Sequence, residues 1–150
     1  VDFYPTIIEC AGEVIDPGEE ARPGSSLLSI ASGDVPERTV LSEYHASGSI
    51  TGEFMVRVGR WKCMYYVGYD PQLFDMESDP HETADLAGDP EHAVTLAMCE
   101  AELRKIVDPE AANDLAFQDQ AARIEELGGI DVIFQRQELG FTPAPGQPIE

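Results

Sequence analysis

Residues 53–67 read EFMVRVGRWKCMYYV, and this pattern predicts the β-hairpin from which the rest of the fold can be placed. Phe54, Val56 and Val58 alternate with polar or longer side chains, which is the two-residue period of a strand with one buried face. The Gly59-Arg60 pair can form the turn, because glycine accepts the backbone angles of a tight hairpin. On the returning strand, the face predicted to be buried carries Trp61, Cys63, Tyr65 and Val67.

Further strands are predicted on both sides of this hairpin, over residues 39–44 and 72–75. Helices are predicted over residues 2–11, 27–32, 90–107 and 109–127. The fold class is therefore α+β. We expect a small antiparallel sheet of about four strands with helices packed on one side, then a helical C-terminal part and an extended tail.

Several details of the helical part follow from local signals. The Asp-Pro pairs at 79, 89 and 108 are predicted to start helices, because Asp caps a helix and Pro fits its first turn. Residues 130–135 are predicted as a last strand, and the Pro-rich tail as an extended arm. The helical residues expected to face the core are Ile7, Ile8, Cys10 or Ala11, Leu96, Cys99, Leu103, Ile106, Leu115, Ala122 and Ile124.

The composition is that of an acidic protein, with a formal net charge of −20 at pH 7. A field of this sign repels phosphate backbones and anionic lipids, so we expect neither nucleic acid nor a membrane as partner. Three widely spaced cysteines suggest neither a disulfide framework nor a zinc site, and they indicate a reducing compartment. No signal peptide is visible, so a cytoplasmic location is expected, with the periplasm as the alternative. The first residue is not methionine, which suggests a natural or recombinant fragment.

The residues around the end of the first predicted strand are the strongest local candidates for a site. Glu43 and His45 lie two apart and therefore point to the same side of a strand, where they could do acid–base work. The loop that follows supplies Ser47 and Ser49. The cations Arg57, Arg60 and Lys62 could bind an anion, but pairing with the many carboxylates is favoured. No complete set of nucleophile, metal ligands and oxyanion donors is found, so we predict no catalytic and no metal-binding residue.

Five motifs occur in a fixed order: VDFYPTIIECAG, GSSLLSIASG, RTVLSEYH, MVRVGRWKCMYYV and QLFDMESDPHETADLAGDP. From residue 1 to about residue 90, this order resembles the C-terminal third of sulfatases, which belong to the alkaline phosphatase superfamily. Cys63 stands where that family usually has an aromatic residue.

The resemblance implies a hydrolase of sulfate esters that uses a formylglycine nucleophile and a calcium ion. In the family, formylglycine arises from a cysteine in a C-x-P/A-x-R context, which none of Cys10, Cys63 and Cys99 has. The catalytic groups would then lie outside this chain, and the chain alone is expected to be inactive. The residues expected to contact the organic part of the substrate are Glu43, His45, Ser47 and Ser49.

The resemblance also implies a domain organisation. Residues 1–35 would be a helical connection to an N-terminal catalytic domain, which is the expected partner. Residues 36–135 would be the C-terminal subdomain, and residues 136–150 a tail that could reach a neighbouring subunit of a homo-oligomer. Two alternatives stay open: a phosphonate monoester or phosphodiester hydrolase of the same superfamily, and a non-enzymatic oligomerisation module.

Overall fold

The computed structural model describes residues 1–15, 18, 24–34, 37–46 and 48–135. The predicted tail and Ser47 lie outside these residues. The chain forms two compact units, Val1–Val40 and Leu41–Glu150. Within the described part of the chain, no helix combines the length and the apolar composition needed to cross a bilayer.

The first unit contains the helices α1, Phe3–Cys10, and α2, Leu27–Ser32. The Ser26 hydroxyl caps α2 by accepting from the Leu28 amide, and Gly33 ends it with a φ of 82°. Both helices were predicted, but the predicted buried side of α1 is partly wrong. Pro5 is its buried residue, whereas Ile7, Cys10 and Ala11 are exposed.

The second unit is built on a four-stranded antiparallel sheet in the order β1-β2-β3-β4. Its strands are β1, Val40–Tyr44; β2, Glu53–Val58; β3, Trp61–Tyr66; and β4, Gln72–Asp75. The predicted hairpin is confirmed, with Val56 opposite Cys63, and Cys63 opposite Leu73 on the next strand. Gly59 takes a φ of 55° in the turn, a conformation that favours glycine.

One face of this sheet carries the core. The helix α3, Ala93–Ile106, packs against β2 and β3 on that face. Leu103 and Cys99 of α3 are fully buried, as predicted, whereas Ile106 is 51% exposed. The buried apolar cluster consists of Phe54, Val56, Cys63, Leu73, Cys99 and Leu103.

The C-terminal helices depart from the predictions in three places. Residues Ile130–Gln135 form a helix, α5, and not the predicted strand, because a short apolar run is compatible with either state. The Ile133 amide donates to the Gly129 carbonyl at 3.2 Å, four residues earlier, as in an α-helix. The Asp79-Pro80 pair closes a turn, since the Asp79 carboxylate accepts from the amides of Thr83 and Ala84 at 2.7 and 2.8 Å. On α4, Pro109–Glu126, the predicted core residues Leu115 and Ala122 are exposed.

The other two Asp-Pro pairs behave as predicted. The Asp89 carboxylate caps a 3₁₀ turn, Pro90–His92, that leads into α3, and Asp108 caps α4 by accepting from the Ala111 amide at 3.0 Å. A single residue, Val107, separates the last residue of α3 from this cap. The position of α4 therefore follows from that of α3.

Two of the three hairpin cations, Arg60 and Lys62, pair with carboxylates, as favoured from the sequence, whereas Arg57 donates to the Gly59 carbonyl at 2.9 Å. Arg60 forms a two-pronged ion pair with Asp75 and a further one with Glu77. Lys62 pairs with Glu82 at 2.6 Å. The contact with Arg60, together with hydrogen bonds from Ser78 and the Glu77 amide, holds the pKa of the Asp75 carboxyl well below its usual value.

A second charged cluster joins β3, α3 and α4. The Tyr65 hydroxyl donates to one carboxylate oxygen of Glu110 at 2.6 Å, and Arg104 donates to the other at 2.6 Å. The Arg104 guanidinium also lies 5.2 Å from the centroid of the Tyr65 ring. Hydrogen bonds from Arg104 first, and then from Tyr65, lower the pKa of Glu110 from 4.5 to about 2.

Truncating the core of the hairpin tests its role in the fold. We expect Phe54→Ala to lower the free energy of unfolding by about 3–5 kcal/mol, because a fully buried ring leaves a cavity. Urea unfolding followed by circular dichroism measures this change. The control Val94→Ala, at a side chain that is 83% exposed on α3, should cost less than about 0.5 kcal/mol. Equal costs for the two variants would contradict the assignment of the core.

The Glu110 cluster predicts a pH dependence. Because the pKa of Glu110 is lower in the folded chain, its stabilising effect is complete above about pH 4.5 and is lost as the pH falls toward 2. We expect Glu110→Gln to reduce the free energy of unfolding near neutral pH by less than about 1 kcal/mol, since the cluster is partly exposed. The difference from wild type should shrink below about pH 4.5 in urea titrations. Glu125→Gln, on the same helix, is the control, and a difference that persists at low pH would refute the prediction.

Candidate functional site

His45 lies one residue beyond the end of β1, at the start of the loop that leads to β2. Its Nε2 atom is 3.8 Å from Oε2 of Glu43, so the two predicted site residues do lie on the same side. The His45 side chain is 23% exposed and the Glu43 side chain 49% exposed. The imidazole also packs edge-on against the buried Phe54 ring, with 5.3 Å between the centroids. His45 is therefore attached to the core on one side and open on the other.

The loop ends at Gly52, where the chain passes close to two side chains. A Cβ atom built on Gly52 would lie 3.0 Å from Cε1 of His45 and 3.1 Å from the Phe54 ring. Both distances are shorter than ordinary van der Waals contacts, so a side chain at this position would require its neighbours to shift by a few tenths of an ångström. The hydroxyl of Ser49, another predicted site residue, lies within hydrogen-bond distance of the Thr51 carbonyl and, at 2.9 Å, of the Glu53 carboxylate.

The helix α4 supplies the other wall of the site. Asn113 is only 8% exposed, and its Oδ1 atom accepts a hydrogen bond from the Gly52 amide at 2.7 Å. Gln120 donates from Nε2 to the backbone carbonyl of His45 at 3.0 Å. The ring of Phe117 stands between these two residues along the helix and is 47% exposed.

These residues enclose a small cavity, which we call the notch. Its volume is about 20 Å³, enough for one water molecule or one hydroxyl-sized group. It is lined by His45, Ser49, Thr51, Gly52, Asn113, Ala116, Phe117 and Gln120. The lining combines hydroxyl, amide and imidazole groups with one aromatic ring, so it can bind a neutral polar group by hydrogen bonds.

Covalent chemistry and metal binding find no support among the described residues. Burial raises the pKa of the Cys63 thiol to about 12, and burial also raises that of Cys99, so neither forms the thiolate that acts as a nucleophile. No group of three or more His, Cys, Asp or Glu side chains in the described part of the chain could hold a metal ion. The notch is therefore considered as a candidate contact site.

The structure adds residues that the sequence analysis missed. The lining residues of α4 recur every three to four positions, at 113, 116, 117 and 120, and thus share one face of the helix. The apolar pattern of this helix predicts a different face, with Leu115, Ala122 and Ile124 buried, but Leu115 is 58% exposed. No local signal marks this face in the sequence, because the burial of Asn113 and its pairing with Gly52 follow only from the tertiary structure.

Comparison with known proteins identifies the family. No protein-family model matches the chain. A choline-sulfatase from Rhizobium meliloti is 35% identical over 155 aligned positions that cover all of this chain and 29% of that protein. Arylsulfatase K from Mus musculus is 33% identical over 93% of this chain and 25% of its own length.

A solved structure supports the same grouping. The crystal structure of a predicted sulfatase from Bacteroides thetaiotaomicron matches with a TM-score of 0.60 and 30% sequence identity, covering 76% of this chain and 25% of that protein. The chain thus spans between a quarter and a third of the length of these relatives. The chain belongs to the sulfatases of the alkaline phosphatase superfamily and corresponds to a C-terminal part of such a protein.

Proposed function

We propose that this chain is part of an enzyme that hydrolyses sulfate esters, and that residues 43–52 border the pocket for the organic group of the ester. The observation that carries the proposal is the 35% identity to a choline-sulfatase across the whole chain. The arylsulfatase K relatives share the same reaction class by name.

The charged groups of this chain are consistent with a border of the substrate pocket and do not supply the cations that the reacting sulfate needs. Among the described residues, every Lys and Arg except Arg57 forms an ion pair, and Arg57 donates to the Gly59 carbonyl. With a net charge of −20, the chain repels the sulfate itself. Charge on a sulfate ester in its transition state requires fixed cations. We therefore assign those cations to a part of the enzyme that this chain does not span.

The formylglycine and the calcium ion expected from the family resemblance do not fit the residues described here. The two buried cysteines are protonated, and Cys10, which is exposed, is followed by AGEV and not by the required motif. The described residues also provide no metal-binding group. We assign both groups to the catalytic domain, which is the proposed partner of this chain.

The notch gives the proposed contact its chemistry. His45 and the side chains of Thr51 and Gln120 can donate or accept hydrogen bonds, and Phe117 offers an apolar surface beside them. Such a lining selects a neutral polar group, such as a hydroxyl, and not a second anion. Residues 43–52 would then contribute to KM more than to kcat.

The reaction class can be tested on the longer protein of which this chain is a part. We expect turnover of an aryl sulfate that depends on formylglycine, at a higher kcat/KM than for a phosphonate monoester or a phosphodiester. The 150-residue chain alone should show no turnover. Higher efficiency with the phosphonate would assign the protein to a different hydrolase of the superfamily, and turnover by the isolated chain would overturn the proposed division of roles.

The contact role of His45 yields a second test. We expect His45→Ala in the longer enzyme to raise KM for its best sulfate ester by about two- to tenfold, the cost of one lost hydrogen bond, with kcat nearly unchanged. The control His81→Ala changes an exposed histidine in the turn after Pro80 and should leave both constants unaltered. Unchanged kinetics in His45→Ala would remove this residue from the pocket.

A further inference from the structure

We infer that Asn113 and Gln120 of α4 are positioning residues that hold the two ends of the segment after β1, at His45 and Gly52, and thereby determine the contacts of these ends with the organic group. The expected effect on substrate binding rests on the proposed function. The hydrogen bonds of Asn113 and Gln120 to the segment do not depend on it. Neither residue was found by sequence analysis, and neither needs to touch the substrate to act.

The C-terminal end of this segment is held by a network that ends in Asn113. The Gly52 carbonyl accepts from the Val67 amide at 3.2 Å, and the Thr51 hydroxyl donates to the Val67 carbonyl at 2.8 Å. The remaining group, the Gly52 amide, donates to Asn113 Oδ1 at 2.7 Å, and the Thr51 hydroxyl lies 3.4 Å from the same oxygen. Asn113 thus provides the side-chain acceptor for a buried backbone donor.

The beginning of the segment is held by Gln120. Its side-chain amide donates to the His45 carbonyl at 3.0 Å, two helical turns further along α4 than Asn113. Both ends of the segment are therefore attached to one helix face. Because α4 is a regular helix, the separation of its two side chains sets the span that the segment must cover.

The hydrogen bond between Gly52 and Asn113 also affects the position of the His45 imidazole, because Gly52 lies close to this ring. A Cβ at position 52 would make a tight contact with the imidazole, at 3.0 Å, and the ring packs edge-on against Phe54. The Gly52 backbone therefore lies beside the imidazole, and a shift of this backbone toward the ring would bring the two into contact. The hydrogen bond from Gly52 to Asn113 controls that shift.

The two residues act through opposite hydrogen-bond roles, which permits a reciprocal test. Asn113 is used as an acceptor, so Asn113→Asp keeps the contact and Asn113→Leu removes it. Gln120 is used as a donor, so Gln120→Lys keeps a donor and Gln120→Glu removes it. If these substitutions acted only by destabilising the helix, Asn113→Asp and Gln120→Glu would have similar effects. The positioning role predicts opposite results for the two acids, since only the second removes the hydrogen bond.

The first measurement is amide hydrogen exchange by NMR on the 150-residue chain. We expect Asn113→Leu to speed exchange of the Gly52 amide by about tenfold or more, and Asn113→Asp to stay within about threefold of wild type. Gln120→Glu should shift the resonance of the Ala46 amide, which shares its peptide group with the His45 carbonyl, and Gln120→Lys should not. Exchange of the Val56 amide in the core must stay unchanged, which separates local loosening from global destabilisation.

The second measurement is steady-state kinetics on the longer enzyme with its best sulfate ester. We expect Asn113→Leu and Gln120→Glu to raise KM by about three- to tenfold with kcat within about twofold of wild type, and Asn113→Asp and Gln120→Lys to restore KM. Leu115→Ala and Gln118→Glu, both exposed on α4, are the matched controls.

The outcomes separate this inference from the proposed function. Unchanged Gly52 exchange in Asn113→Leu, or equal effects of Asp and Leu at 113, would overturn the positioning role. If Asn113→Leu fails to fold, Asn113→Asp and the Gln120 pair still decide the matter. If the longer enzyme hydrolyses no sulfate ester, the proposed function is rejected. The exchange data would still decide whether α4 holds the segment.

Discussion

The packing of α3 against the inner face of the β2–β3 hairpin is the constraint on which the second unit depends. Phe54 and Val56 present one face because successive strand residues point to opposite sides, and Cys99 and Leu103 cover that face from the helix. This apolar burial is the main favourable term available to so small a core. Because a single residue, Val107, connects α3 to the Asp108 cap of α4, the packing of α3 also restricts the position of α4.

The position of α4 brings polar residues to the sheet edge at which β1 ends. Burying a side-chain amide without hydrogen bonds raises the free energy of the folded state. The buried Asn113 avoids this cost at its Oδ1 atom, which accepts a hydrogen bond from the Gly52 amide. The same pairing closes the loop after β1 and leaves His45 between Phe54 and solvent. The core, the helix and the candidate site are thus successive consequences of one packing arrangement.

Cations among the described residues form ion pairs with nearby carboxylates of the same chain. Arg60 with Asp75, Lys62 with Glu82, and Arg104 with Glu110 each join separate parts of the second unit. The excess of carboxylates remains, and it gives the chain a field that repels anions. This field supports the proposal that the chain contacts the organic part of an ester and not its sulfate.

The sequence by itself determined the family, through five ordered motifs, and most of the fold. The hairpin was predictable because its two-residue period and its glycine turn are local features, and the starts of α3 and α4 because Asp-Pro caps act within one turn. The helix Ile130–Gln135 was missed, since its short apolar run is compatible with either state.

Only the tertiary structure decided which face of α4 is buried and which residues surround His45. Asn113 and Gln120 lie 61 and 75 residues from their partners Gly52 and His45. No periodicity within α4 marks them, because their contacts depend on where α3 carries the helix. The physical reason is that a long-range hydrogen bond is specified by the packing that brings its two groups together, and not by the local sequence around either one.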